Sequence, residues 1–327
     1  MPTTDASPDA ETSPRRTARH HVAVLVPCYN EAATIASVVA GFRAALPDAI
    51  VYVYDNNSTD DTAGAARAAG AVVRHESHQG KGYVVRRMFA DIDADVYVLV
   101  DGDATYDAPS ARDMIAKLIE EQLDMVVAVR VDREEAAYRL GHRSGNRILS
   151  GFVTHIFGRS FTDMLSGYRV FSRRFVKSFP VLSGGFEIET ELTIHALELE
   201  LPVAEVKTPY YARPEGSESK LNTWRDGFRI LLAIFSIYRS ERPLPFFSAI
   251  GMAFAAVAVG LAIPVILTFL EQGVVPRLPT AVLSTGLMLS ALLSIACGLV
   301  LDTVTRGRRE VKLLAYLQYG APGSERD

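Results

Sequence analysis

The chain has 327 residues, 49% of them hydrophobic and 22% charged, with a formal net charge of −4. This balance excludes an intrinsically disordered protein, and 34 Lys+Arg against 38 Asp+Glu argue against a generally basic nucleic-acid binder. Two cysteines, Cys28 and Cys297, cannot form a disulfide framework or a thiolate metal site, so a reducing compartment is expected.

Residues 1–19 are rich in Thr, Ser, Pro and Arg and lack an apolar stretch, so a disordered tail is expected there rather than a signal peptide. Four short apolar runs follow, each read as a strand: His21–Val26, Ile50–Tyr54, Val96–Val100 and Met125–Val129. Between and after them lie the helix-like stretches Ala32–Ala45, Asp60–Ala69, Gly82–Ala90 and Ser110–Glu121. Apolar strands alternating with helices predict an α/β fold with a mostly parallel sheet covered on both faces. Ligands bind beyond the carboxyl ends of such strands. The residues at those ends are polar or conformationally special: Pro27-Cys28-Tyr29-Asn30-Glu31, Asp55-Asn56-Asn57, Asp101-Gly102-Asp103 and Arg130.

Asp101 and Asp103 follow a buried strand directly, and Gly102 is expected to turn the chain so that both carboxylates face one hard cation, Mg²⁺ or Mn²⁺. A lone D-x-D is also an ordinary acidic turn; its place at a strand end favours the metal. Asp107 has a sufficient role as the cap of the Ser110 helix, and Asp60 or Thr59 can cap the helix before it. Asp55 comes too early to cap, so its carboxylate is free to accept the ring N–H groups of a nucleobase. Gly80-Lys81-Gly82 offers a cation beside a phosphate or sugar, without the spacing of a Walker loop. The seven histidines show no ligand spacing.

Near the C-terminus, 28 residues (Pro243–Leu270) and then 24 (Leu278–Leu301) carry no formal charge. About 20 apolar residues cross a bilayer core, so a two-span hairpin is expected. Arg225, Arg229, Arg239 and Arg242 precede it and Arg306, Arg308, Arg309 and Lys312 follow it, which puts both ends and the N-terminal part on the cytoplasmic side of the cell membrane. Leu221–Tyr238 combines Trp224 and Phe228 with Arg225 and Arg229, as an interfacial helix would, and Val311–Tyr319 is a weaker element of the same kind.

As an ordered set, VAVLVPCYNEAATI, YDNNSTDDT, GKG, LVDGDATYD, DMLSGYRVFSRR and YYARPEGSESKL resemble the family 2 glycosyltransferases of the GT-A fold. More narrowly they are similar to the polyprenyl-phosphate, dolichyl-phosphate mannose synthase-like members, over about residues 20–240. With the tail over 1–19 and the orientation read above, the resemblance implies a cytoplasmic Rossmann-like catalytic domain over 20–220. An interfacial helix over 221–242, a transmembrane hairpin over 243–304 and a cytoplasmic tail over 305–327 complete the chain. It also implies roles. Pro27, Tyr29, Glu31 and Asp55 hold the nucleoside, with Lys81 and Gly102 in the nucleotide-sugar site. Asp101 and Asp103 bind the donor diphosphate through the metal, and Arg213, Ser219 and Lys220 belong to a loop that closes over the phosphates. Arg130, Arg143, Asn146 and Arg169 hold the phosphate of a polyprenyl lipid, with Asp163, Ser166, Gly167 and Arg169 in a loop under the acceptor. Assembly of copies through the hairpin is likewise implied.

Transfer of a hexose from such a donor leaves a nucleoside diphosphate, whose growing charge the metal, Lys220 and Arg213 stabilise. A phosphate monoester acceptor has a second pKa of about 6, so it attacks already ionised and needs no strong base. It needs cations, and Arg130 and Arg143 provide them. One displacement inverts the anomeric centre. Mannose synthases of the family often follow D-x-D with Leu-Gln; Ala104-Thr105-Tyr106 stands here, which favours a UDP-sugar over GDP-mannose. A processive synthase acting on a sugar hydroxyl usually carries Q-x-x-R-W, whereas Trp224 lies in Asn-Thr-Trp-Arg-Asp.

Overall fold

The computed structural model describes residues 20–132, 151, 161–182, 184–185, 187–213 and 235–323. Strand β1 (Val22–Cys28) lies inside the sheet, paired in parallel with β2 (Ile50–Asp55) on one side and β4 (Val96–Leu99) on the other. Alternate residues of β1 point to opposite faces, as the two-residue period of a strand requires. Ala23 and Leu25 join a core with Tyr97, Phe171 and Phe175, while Val24 and Val26 join another with Phe42, Val98 and Met114. A strand apolar on both faces is stable only when helices cover both. One face carries α3 (Lys81–Asp91), α5 (Arg173–Ser178) and α6 (Ile188–Glu198); the other carries α1 (Ile35–Ala45) and α4 (Ser110–Glu120). Helix α2 (Thr62–Ala68) leads to the edge strand β3 (Val72–His75).

The sheet has seven strands in the order β3-β2-β1-β4-β6-β5-β7, where β5 is Met125–Asp132, β6 is Arg169–Ser172 and β7 is Val203–Tyr210. Only β6 runs against its neighbours, antiparallel to both β4 and β5. The other six share one direction, so Cys28, Asp55, His75, Arg130 and the chain after Leu99 and Tyr210 all reach the same edge. The mostly parallel α/β sheet expected from the sequence is present. β3 and β6 are only four residues long, and β7 is a half-buried edge strand containing Pro209; none presents the continuous apolar run that marks a buried strand.

Two long apolar helices, α7 (Pro243–Gln272) and α8 (Leu278–Leu317), form an antiparallel hairpin that leaves most of its surface exposed. They meet along a seven-residue repeat of mostly small residues, Gly251, Ala258 and Val265 against Ser284, Ala291 and Gly298. Small side chains let apolar helices approach closely, and Ser284 Oγ donates to the Ala258 carbonyl at 2.8 Å across the seam. The helix α8 is 40 residues, about 60 Å, and does not stop where its apolar run stops. Residues 305–317, read from the sequence as part of a tail, continue it onto the catalytic domain. Arg308 pairs with Glu241 at 2.8 Å, Lys312 with Glu198 at 2.5 Å, and Tyr316 donates to Asp124 at 2.9 Å. Asp124, fully buried at the base of β5, also binds Arg174 through both oxygens.

Candidate active site

The tips of β1 and β2 are laced together by side chains. Asn30, in the left-handed region at φ 53°, donates its backbone N–H to Ser58 Oγ (2.9 Å), and its side-chain oxygen accepts from the Thr59 N–H (2.8 Å). The Glu31 N–H donates to Thr62 Oγ1 at 2.8 Å. Asp60 accepts the Thr62 N–H at 3.1 Å from one residue ahead of the α2 N-cap, which is Asp61 and makes no side-chain cap bond. Pro27, Tyr29 and Glu31 are half-buried along this rim. Asp55 ends β2: its Oδ2 lies 3.5 Å from His75 Nδ1, while its Oδ1 is buried without a partner. An orphaned buried carboxylate oxygen at a cleft rim is suited to a ligand donor. Asn56 then fixes the neighbouring loop, donating to the Glu76 and His78 carbonyls (2.9 and 2.7 Å) and accepting the Gly80 N–H (2.7 Å).

Asp101 and Asp103 follow β4. Asp103 is buried and binds Arg213 at 2.6 Å through Oδ2, and Thr105 Oγ1 at 2.6 Å through Oδ1. Burial, then repulsion from Asp101, pushes its pKa above the ordinary carboxylate value in spite of Arg213 and Thr105. Two carboxylates so close, one of them desolvated, need positive charge, and hard oxygen donors of this kind suit Mg²⁺ or Mn²⁺. Among the described residues no cluster of three or more metal-ligating side chains occurs. Gly102 acts differently from the sequence expectation. Its φ lies outside the left-handed region, which falls instead on Ala104 at 59°. Glycine is required at 102 because a Cβ there would lie 2.7 Å from Cys28 Sγ.

Lys81 opens α3 and reaches Asp101 Oδ1 at 2.5 Å and Glu189 Oε1 at 2.5 Å. Burial opposes its charge, but the two carboxylates outweigh that and hold the ammonium well above its ordinary pKa. Glu189, from the first turn of α6, was not foreseen; Glu-rich helix starts are common and nothing in Ile-Glu-Thr-Glu-Leu marks this one. Gly167 presses on the other side of Asp101, and its N–H donates to Tyr106 Oη at 3.0 Å. Tyr106 and Tyr210, packed edge to face, close the floor between β4 and β7.

Arg130 stands at the same edge on β5. Asp163 grips its guanidinium with both oxygens, at 2.6 and 2.8 Å, and the Tyr210 ring lies 5.5 Å beneath it. Glu205 of β7 holds the loop that carries Asp163 by accepting from Thr162 N and Oγ1 and Asp163 N. Arg169 is a correction to the sequence reading. It is fully buried, and it donates to the Ser166 and Met164 carbonyls and Thr193 Oγ1. Burial lowers its pKa to about 10. It therefore shapes the loop from within and does not face an acceptor phosphate. Arg143, Asn146, Ser219 and Lys220 lie outside the described residues. Of the remaining expected residues, Lys81 is paired with Asp101 and Arg213 with Asp103, flanked by Asp55 on one side and Arg130 on the other.

A mostly parallel sheet whose edge bears an acidic pair with basic partners fits the GT-A type of fold, and the sequence comparisons give the family. Residues 23–179 match the model of Glycosyl transferase family 2, and the chain belongs to that family. It is 35% identical over 291 residues to glycosyltransferase AglJ of Haloferax volcanii, covering 88% of this chain and 95% of that one. It is 27% identical over 221 residues to the dolichyl-phosphate hexose transferase of the same organism, 68% of this chain and 95% of that one. In fold it is similar to glucosyl-3-phosphoglycerate synthase from Mycobacterium tuberculosis, solved in complex with Mn²⁺, uridine-diphosphate and glucosyl-3-phosphoglycerate. That likeness has a TM-score of 0.54 at 24% identity, over 66% of this chain and 80% of that one.

Proposed function

We propose that the protein transfers a hexose, with inversion, from a UDP-sugar to the phosphate of a polyprenyl lipid at the cytoplasmic face of a membrane. The observation that carries this reading is the juxtaposition of Asp101, Asp103, Lys81 and Arg213 at one sheet edge, in a chain that ends in two long apolar helices. The name of the dolichyl-phosphate hexose transferase supports the lipid phosphate, and the Mn²⁺ and uridine-diphosphate in the structural neighbour support the donor and ion.

Asp55 Oδ1 accepts a ring N–H of the base, which gives its buried oxygen the partner it lacks. Asp101 and Asp103 would hold a divalent cation, which when bound would neutralise charge on the diphosphate leaving group. Arg213 adds a guanidinium to the same phosphates, and Lys220 a further cation. Arg130, with Arg143 and Asn146, receives the lipid phosphate; Asp163 and Tyr210 keep the Arg130 guanidinium in one orientation. A phosphate oxygen attacks the anomeric carbon as the bond to the donor diphosphate breaks, and the electron pair leaves with that diphosphate. The attacking oxygen is already ionised near neutral pH, so no side chain takes a proton from it. The apolar hairpin keeps the site beside a substrate whose tail stays in the bilayer.

The test is an incubation of purified full-length protein in micelles with Mn²⁺, a panel of UDP- and GDP-sugars, and a short polyprenyl phosphate. Lipid-linked sugar from a UDP-sugar is expected. Equal product from Asp103→Ala and wild type, or transfer only to sugar hydroxyls, would refute it.

A further inference from the structure

Asp101 already has a cation beside it. Lys81 Nζ sits 2.5 Å from its Oδ1, and Gly167 closes on its Oδ2 side. A divalent ion arriving at Asp101 meets that ammonium, and two cations on one carboxylate repel. Lys81 has little freedom to retreat into water, because its side chain is only 10% exposed. A buried ammonium deprived of its counter-charge is strongly unfavourable. Glu189 removes this difficulty. Its Oε1 lies 2.5 Å from the same Nζ, its side chain is 8% exposed, and it is fixed in the first turn of α6.

We propose that Glu189 is a positioning residue for metal entry: it is the counter-charge that keeps Lys81 when Asp101 turns to the divalent ion. The carboxylate of Glu189 touches neither ion nor donor in this role; it acts through Lys81. The inference rests on the reading of Asp101 and Asp103 as the metal pair. It makes a prediction that a simple electrostatic or direct-ligand role does not. Neutralising Glu189 weakens metal binding only while Lys81 is present, because without the ammonium there is nothing to strand.

The experiment is an Mn²⁺ titration followed by EPR of the free ion, on full-length protein in micelles with saturating UDP. The variants are Glu189→Gln, Lys81→Gln, the double variant and Asp101→Asn. Glu189→Gln is expected to bind Mn²⁺ at least about tenfold more weakly than wild type, a change of about 1.4 kcal/mol. The double variant is expected to match Lys81→Gln within about threefold, well under that 1.4 kcal/mol step. Wild-type affinity in Glu189→Gln overturns the inference, as does an equal loss in both backgrounds. If Glu189→Gln does not fold, the comparison of Lys81→Gln with the double variant decides: a tenfold drop there overturns it. Equal Mn²⁺ binding by wild type and Asp101→Asn instead overturns the metal reading, and the inference with it.

Discussion

Gly167→Ala tests how tightly the acidic pair is set. A Cβ on residue 167 would lie 2.3 Å from Asp101 Oδ2, about 1 Å inside ordinary van der Waals contact. The backbone at residue 167 is less able to yield than the carboxylate. Asp101 is held on its other oxygen by Lys81, and residue 167 is held by its N–H bond to Tyr106 and by the buried Tyr168 and Arg169 that follow it. The carboxylate therefore moves by about 1 Å, and misplacements of that size cost on the order of 10²-fold in rate, or about 2.7 kcal/mol of barrier. Single-turnover transfer with saturating donor would measure the loss, and thermal unfolding in the same detergent would check that the fold survives. Transfer within about threefold of wild type, a barrier change under roughly 1 kcal/mol, would show that Asp101 is not held as argued.

Asp55→Asn replaces one acceptor oxygen by a donor at the base site, and is expected to raise the donor KM by roughly tenfold, the size of one lost hydrogen bond to a charged group, with kcat little changed. Arg169→Met leaves the Met164 and Ser166 carbonyls unsatisfied in the interior; about 2–4 kcal/mol of stability should be lost, read as a fall in Tm. Lys312→Met strands Glu198, whose Oε1 already lacks a partner, and should loosen α8 from α6 at a cost of about 3–5 kcal/mol, visible as early proteolysis of the catalytic domain. His195 is buried with its pKa lowered to about 3 by desolvation, then by Lys312. Its unfolded form takes up a proton below its ordinary value of 6.5, so its contribution is complete above that pH and is lost as pH falls toward 3. His195→Phe should flatten the fall of Tm between pH 6.5 and 4.5, where His195 takes up its proton only on unfolding.

Four buried strands, the helices between them, the acidic pair and the two apolar helices could be read from the chain alone, because each is a local pattern. Continuous apolar runs report strands covered on both faces, and long uncharged runs report helices that do not face water. The strands β3, β6 and β7 were not legible. Their stability comes from pairing across the chain, with Val170 meeting both Val98 and Val126; β3 and β6 are short and interrupted by charged residues, and the eight-residue β7 is a half-buried edge without a continuous apolar run. Residue types at strand ends nominated Asp55, Asp101, Asp103 and Arg130, but could not say which arginines face the cleft. Arg169 and Arg130 look alike in sequence; tertiary packing buries one under a loop and gives the other to Asp163 at the rim. Glu189 became visible only when α6 laid its first turn beside Lys81, 108 residues away in the chain. Electrostatic partnership depends on distance in space, and local sequence carries no record of it once the partners are far apart along the backbone.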